Sequence, residues 1–253
     1  MSETLTNMNT PVALVTGAAQ RLGAGICRAL HARGYNIIIH YRSSQVPAEA
    51  LRDELNAQRD ASAVILCADM NSVLDVQSLA VQSLAQWQRL DVLVNNASGF
   101  YPTALESAAE KDWDALFNSN LKGPFFLSQA VAPALKETTG CIVNLVDIYA
   151  QKPLQGFPIY SMAKAGVAMM TQSLALELGP EVRVNGVSPG AILWPVEETE
   201  YSIQEKQDVN HRVPMRRQGE ASDIAKTVVF LVADAPYITG QIISVDGGRT
   251  VSM

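Results

Sequence analysis

Residues 12–25 read VALVTGAAQRLGAG, and the order of the parts decides the fold. Val12-Ala13-Leu14-Val15 is a short apolar run of the kind that forms a strand buried on both faces. It gives way at once to Thr16 and Gly17, then to Gly23 and Gly25 at the start of a helical pattern. Glycines there permit a tight turn and let the helix pack closely on its strand. The unpaired N–H groups and the dipole at the helix start favour an anion such as a pyrophosphate. Position 21 departs from this logic, because a long cation, Arg21, stands at one of the tightest points of the turn.

The strand-then-helix rhythm continues along the chain. Short β-rich runs fall at Val12–Thr16, Asn36–Tyr41, Ala63–Ala68, Asp91–Asn95, Cys141–Val146, Val182–Val187 and Ile242–Val245. Helical patterns lie between them, near 23–33, 47–59, 72–88, 110–136, 159–179 and 220–233. Alternation of this kind predicts an α/β fold: a doubly wound, seven-stranded parallel sheet with helices on both faces. No repeat or Gly/Ser-rich linker interrupts it, so residues 1–253 read as a single domain. Residues 1–10 are expected to be disordered, and the irregular stretch 191–219 is expected to form a lid over a site.

With 253 residues, 48% of them hydrophobic, the chain has ample material for a core. A formal charge of −6 argues against a nucleic-acid or anionic membrane surface as partner. No apolar run approaches the roughly 20 residues that span a bilayer, and MSETLTNMNT lacks the basic and apolar regions of a secretory signal. Cys27, Cys67 and Cys141 are far apart without a CxxC pair. They read as reduced, buried thiols in a cytoplasmic protein, and no metal site is expected.

In a sheet of this type, ligands bind beyond the carboxyl ends of the strands. The second strand ends in His40-Tyr41-Arg42-Ser43-Ser44, without the carboxylate that commonly holds an unphosphorylated ribose. Arg42 and the Ser43 hydroxyl suit a dianionic phosphate instead, so NADP(H) is expected over NAD(H). His40 is open between a cofactor contact and a hydrogen-bonded core histidine. Further along, Tyr160 and Lys164 in YSMAK lie one helical turn apart, where an ammonium favours ionisation of a phenol. Asp147 ends the fifth strand and Asn95-Asn96-Ala97 the fourth, so all should meet in one crevice.

These residues resemble the short-chain dehydrogenases/reductases from about residue 11 to 250. The resemblance rests on Thr16-Gly17 with Gly23, Asp69, Asn95-Asn96-Ala97, Asn120, Tyr160 with Lys164, Pro189-Gly190 and Asp246-Gly247-Gly248. It implies a Rossmann-type sheet, a homotetramer and hydride transfer from a nicotinamide. Tyr160 would be the acid, Lys164 would lower its pKa and bind ribose, Asn120 would support a water-linked proton path, and Asp69 would contact adenine. The implied cofactor set is Gly17, Arg21, Leu22, Gly23, His40, Tyr41, Arg42, Ser43, Asp69, Met70, Asn95, Ala97, Ser98, Tyr160, Lys164, Pro189 and Gly190. Two departures, Arg21 for the middle glycine and Asp147 where a serine usually stands, look like the pteridine reductases, as does NNASGFYPT at 95–103. That group uses NADPH to reduce a pterin. By this resemblance Phe100 would stack on the ring, Ser98 would bond ring and cofactor, and Arg21 would bridge a phosphate and a ring heteroatom. Asp147 and Tyr160 would protonate the ring. A 3-oxoacyl-thioester reductase of the same family, or a non-catalytic NADPH-binding regulator, stands as the alternative.

Overall fold

The structure, a computed structural model, describes residues 10–192 and 211–253. The strands are β1 Val12–Val15, β2 Asn36–Tyr41, β3 Ala63–Cys67, β4 Val92–Asn95, β5 Cys141–Leu145, β6 Arg183–Pro189 and β7 Ile242–Val245. All pair in parallel, in the order β3-β2-β1-β4-β5-β6-β7. Strand order reverses direction between β1 and β4, and that junction opens the crevice at the carboxyl ends.

Alternation along each strand sends side chains to two separate cores. Ala13 and Val15, Ile37 and Ile39, and Val92 and Val94 face one core, built with α1 Arg21–Ala32, α2 Gln45–Gln58 and α7 Ala221–Val229. Val12 and Leu14, Ile38, Leu93 and Ile142 face the other, built with α3 Val73–Trp87, α5 Gly123–Glu137 and α6 Pro158–Leu178. A sheet covered on both faces must be apolar at every position, which is why β1 shows no polar alternation. Helix starts follow local chemistry: the Ser72 hydroxyl accepts the Asp75 N–H at 3.2 Å ahead of α3, and Pro158 opens α6.

Three sequence expectations are corrected. The helix expected over 110–136 is broken into α4 Glu110–Phe117, a wide π-turn Asn118–Lys122 and α5. Pro124 has no N–H to return to the Asn120 carbonyl, so the ladder loosens there, and the Gly123 N–H bonds to Asn118 O instead. A side chain at Gly123 would in any case collide with Met70 O, 2.3 Å from the built Cβ. The helix expected over 220–233 likewise gives way to a π-turn at Phe230–Asp234. Cys67 is exposed at the end of β3, donating to Arg42 O at 3.3 Å, whereas Cys27 and Cys141 are buried as expected. Of the stretch expected as a lid, 193–210 lie outside the described residues, as do 1–9. Its two ends are clipped together, since Gly219 N donates to Ala191 O and Gln218 Nε2 to Ile192 O, both at 3.0 Å.

Candidate active site

The turn after β1 is held by side chains from neighbouring strand ends. Thr16 Oγ1 accepts the N–H groups of Asn96 and Ala97 at 2.9 and 3.0 Å, and Asn96 Nδ2 donates to the carbonyls of Thr16 and Gly17 at 2.8 and 2.9 Å. This clamp leaves no room for side chains in the turn: a Cβ on Gly17 would lie 2.8 Å from Ala97 Cα, and one on Gly23 2.5 Å from Gly17 O. His40 closes the clamp from β2. Its Nδ1 accepts the Gly17 N–H at 3.0 Å while Nε2–H donates to Ala68 O at 3.1 Å. Both partners have fixed roles, so they impose the neutral tautomer with the proton on Nε2. Burial pushes the imidazole pKa down to about 4. Of the two roles left open for His40, the structure selects the positioning one. Arg21 adopts φ +54°, the left-handed region that a glycine occupies without cost. Its side chain is exposed at the mouth of α1.

The other cofactor candidates divide by which way their side chains point. Arg42 and Ser43 are exposed just past β2, with no carboxylate among residues 40–44. Asp69 Oδ1 accepts from both the N–H and the Nδ2 of Asn71, at 2.9 and 2.7 Å, which fixes the loop after β3. Tyr41 and Leu22 pack on the first core with part of each side chain still exposed, whereas Met70 is buried in the second and is left with backbone atoms for any contact. Asn95 turns its side chain inward and keeps backbone atoms for any cofactor contact. It shares the parity of Leu93, and its Nδ2 donates inward to Asn144 Oδ1 at 2.8 Å and Ser128 Oγ at 3.1 Å. Asn144 continues to Thr171 on α6 at 2.9 Å, making a buried polar bolt between β4, β5, α5 and α6. The N–H groups of Gly17 and Ala97 are occupied within the clamp and are likewise not free for a phosphate. At the end of β6, Gly190 lets Pro189-Gly190 approach Asp246, whose Cβ lies 2.6 Å from a built Cβ. A glycine-lined cradle with Arg42 exposed and no carboxylate among residues 40–44 fits a phosphorylated dinucleotide.

Asp147, Tyr160 and Lys164 meet on the other side of the crevice, and Asn120 lies on the π-turn that packs against α6. Tyr160 Oη donates to Asp147 Oδ2 at 2.7 Å, and the other carboxylate oxygen accepts the Tyr149 N–H at 2.9 Å. Lys164 is 3% exposed; its Nζ donates to Leu145 O at 2.8 Å and lies 5.8 Å from the centre of the Tyr160 ring. Burial dominates all three ionisations. It raises the Asp147 pKa against the Tyr149 and Tyr160 hydrogen bonds and the charges of Lys164 and Arg249, and it lowers Lys164 to about 8. Tyr160 is pushed well up, first by burial and then by the Asp147 charge and hydrogen bond. In this state burial and Asp147 outweigh the pull toward the phenolate expected of Lys164 and hold the phenol in its proton-bearing form. Asn120 Nδ2 donates to Leu116 O at 2.9 Å and Gly99 O at 3.1 Å, and its buried Oδ1 has no protein partner.

Aromatic rings wall the site. Phe100, half exposed, stacks on Phe157 at 4.7 Å and 11° and meets Tyr160 edge-on at 4.8 Å and 76°. Ser98 is exposed beside it. The sequence reading missed Phe157 and Tyr149, although their spacing from Tyr160 and Asp147 is a usable signal. Arg249 was also missed: its Nη2 donates to Tyr149 Oη at 3.4 Å from the far end of the chain, where no local pattern marks it. Lining a groove on the outer faces of α4, α5 and α6 are Trp113, Phe117, Phe125 and Met169, apart from the Asp147–Tyr160 pair.

Comparison with known proteins agrees with this geometry. Residues 17–250 match a family model described as enoyl-(acyl carrier protein) reductase. The chain is 38% identical to pteridine reductase 1 of Leishmania tarentolae, over 98% of this chain and 99% of the relative. It is 36% identical to the 3-oxoacyl-(acyl-carrier-protein) reductase FabG of Staphylococcus aureus, over 94% and 98% of the two chains. A 3-oxoacyl-(acyl-carrier-protein) reductase of Synechocystis is 35% identical over 98% and 100%. These relatives are oxidoreductases, and the chain belongs with them to the short-chain dehydrogenase/reductase family.

Proposed function

We propose that this reductase uses NADPH to reduce a pterin ring, taking a dihydropterin to its tetrahydro form, with dihydrofolate and fully oxidised pterins as further substrates. The observation that carries the reading is the 2.7 Å bond between Asp147 and Tyr160. Carbonyl reduction needs one phenol to protonate oxygen, with a neutral hydroxyl beside it. Reduction of a ring C=N bond instead protonates nitrogen, and a carboxyl group sharing a proton with the phenol is the stronger acid for that task. A likeness to pteridine reductase 1 at 38% identity supports it.

NADPH supplies the hydride when bound. Arg42 and Ser43 would hold its 2′-phosphate by charge-assisted bonds, Asp69 would take the adenine edge, and Lys164 would offer its remaining N–H donors to the nicotinamide ribose. Arg21 and Ser98 would serve the phosphates and the substrate edge together. Phe100 covers the flat heterocycle, and the Asp147–Tyr160 pair delivers a proton at the ring nitrogen. Burial raises the pKa of both groups, and the phenol proton is held on Tyr160, donated to Asp147. Asn120 Oδ1 orients the water that refills the pair.

The second reading, reduction of a 3-oxoacyl thioester, draws on relatives of nearly equal identity. NADPH oxidation followed by absorbance with a dihydropterin, an acetoacetyl thioester or neither separates the two. Turnover with the pterin alone supports the proposal, and turnover with the thioester alone overturns it. The same reading places the enzyme in the cytoplasm as a homotetramer whose copies cover the Trp113–Met169 groove. No helix among the described residues is long and apolar enough to cross a membrane.

A further inference from the structure

We propose that Arg249 is a positioning residue of this active site: delivered by the Asp246-Gly247-Gly248 turn, its guanidinium fixes Tyr149 and sets a second cation, besides Lys164, near Asp147. The proposal rests on the Asp147–Tyr160 pair being the proton donor.

Geometry makes the delivery rigid. Gly247 and Gly248 adopt φ +63° and +87°, so the chain reverses sharply after β7. Asp246 locks the reversal, with Oδ1 accepting Gly248 N at 2.9 Å and Oδ2 accepting Thr250 N at 2.7 Å. On its outer side the turn is pressed against 213–215: a Cβ on Gly247 would lie 2.7 Å from Val213 Cγ1, and Met215 N donates to Gly247 O at 3.1 Å. Arg249 leaves this turn toward the crevice. Nη2 reaches Tyr149 Oη at 3.4 Å, and Tyr149 N in turn holds Asp147 Oδ1 at 2.9 Å, so one guanidinium braces the residue that orients the carboxylate.

Two further observations agree. Nε of Arg249 is buried without a protein partner, so the side chain is not placed there to satisfy its own hydrogen bonds. Arg249 is also among the charges that act on Asp147, against burial. The groups facing Asp147 are Tyr149 on the short turn after β5, Tyr160 and Lys164 on α6, and Arg249 from the C-terminal turn. Removing Arg249 leaves Lys164 as the single cation of that set.

The test is a carboxyl NMR titration of the full-length protein carrying labelled aspartate, with and without NADPH, in which Asp147→Asn identifies the Asp147 signal. Arg249→Gln should raise the Asp147 midpoint by about one pH unit, and Arg249→Lys should bring most of that shift back. Tyr149→Phe should lower kcat several-fold while leaving NADPH affinity unchanged. The limb of the pH–rate profile that reports Asp147 should move to higher pH in Arg249→Gln. An unmoved midpoint in Arg249→Gln, or an equal shift in Arg249→Lys, overturns the proposal. Because the titration needs no substrate, it reads Arg249 even if the wild-type enzyme rejects every pterin, an outcome that would instead overturn the proposed function.

Discussion

At position 147 the difference between a hydroxyl and a carboxyl decides what the neighbouring phenol can do. A serine there would offer Tyr160 a neutral partner. Asp147 offers a carboxyl group 2.7 Å away that accepts the phenol proton's hydrogen bond, and burial raises the pKa of both groups. Asp147→Ala and Tyr160→Phe should each lower kcat by about 10²–10⁴-fold, with the NADPH dissociation constant little changed in a fluorescence titration. Arg42→Ala should do the converse. Losing a charge-assisted phosphate contact costs about 1.5–3 kcal/mol, so NADPH binding should weaken roughly 10–100-fold while NADH binding stays the same. These residues were legible because their chemistry is local: a missing carboxylate after β2, a Tyr-x-x-x-Lys turn and an aspartate at a strand end. Arg249 was not legible, since it reaches Tyr149 across 100 residues of sequence and only the sheet order brings them together.

Strands set direction by parity, and that explains which site candidates keep their side chains from a ligand. His40 shares the face of Ile38, and Asn95 that of Leu93, so both point into the protein rather than at a ligand. Motif position put Asn95 in the cofactor set and left His40 open between cofactor and core. The helix over 110–136 failed for a different reason: periodicity sees apolar spacing, while the π-turn is made by a missing N–H at Pro124 and a tight approach at Gly123. His40 gives this scale its prediction. Its folded pKa of about 4 lies below the ordinary 6.5, so between those values the unfolded chain binds the extra proton. Stability contributed by neutral His40 is therefore present above pH 6.5 and lost as pH falls toward 4, by about 3 kcal/mol in all. Urea denaturation of wild type and His40→Gln should diverge at pH 7 and converge as pH drops through that window. Parallel curves would show that His40 is not what couples the turn to pH.

For the whole molecule, fold class, strand number and strand order type were readable because a sheet covered on both sides leaves an unmistakable run of apolar segments. Which surfaces meet in an assembly was not, because exposed Trp113, Phe125 and Met169 are scattered in sequence and converge only when α4, α5 and α6 pack. If copies of the chain cover that groove, Trp113→Glu should reduce the particle from a tetramer to a smaller species in light scattering. An unchanged mass would place the interface elsewhere. The account as a whole turns on whether the carboxyl at 147 selects a ring nitrogen over a carbonyl oxygen. The ratio of kcat/KM for a dihydropterin to that for an acetoacetyl thioester, compared between wild type and Asp147→Ser, measures it directly. The account predicts a ratio well above one that collapses by at least about 10²-fold in Asp147→Ser; a ratio that the substitution leaves unchanged would contradict it.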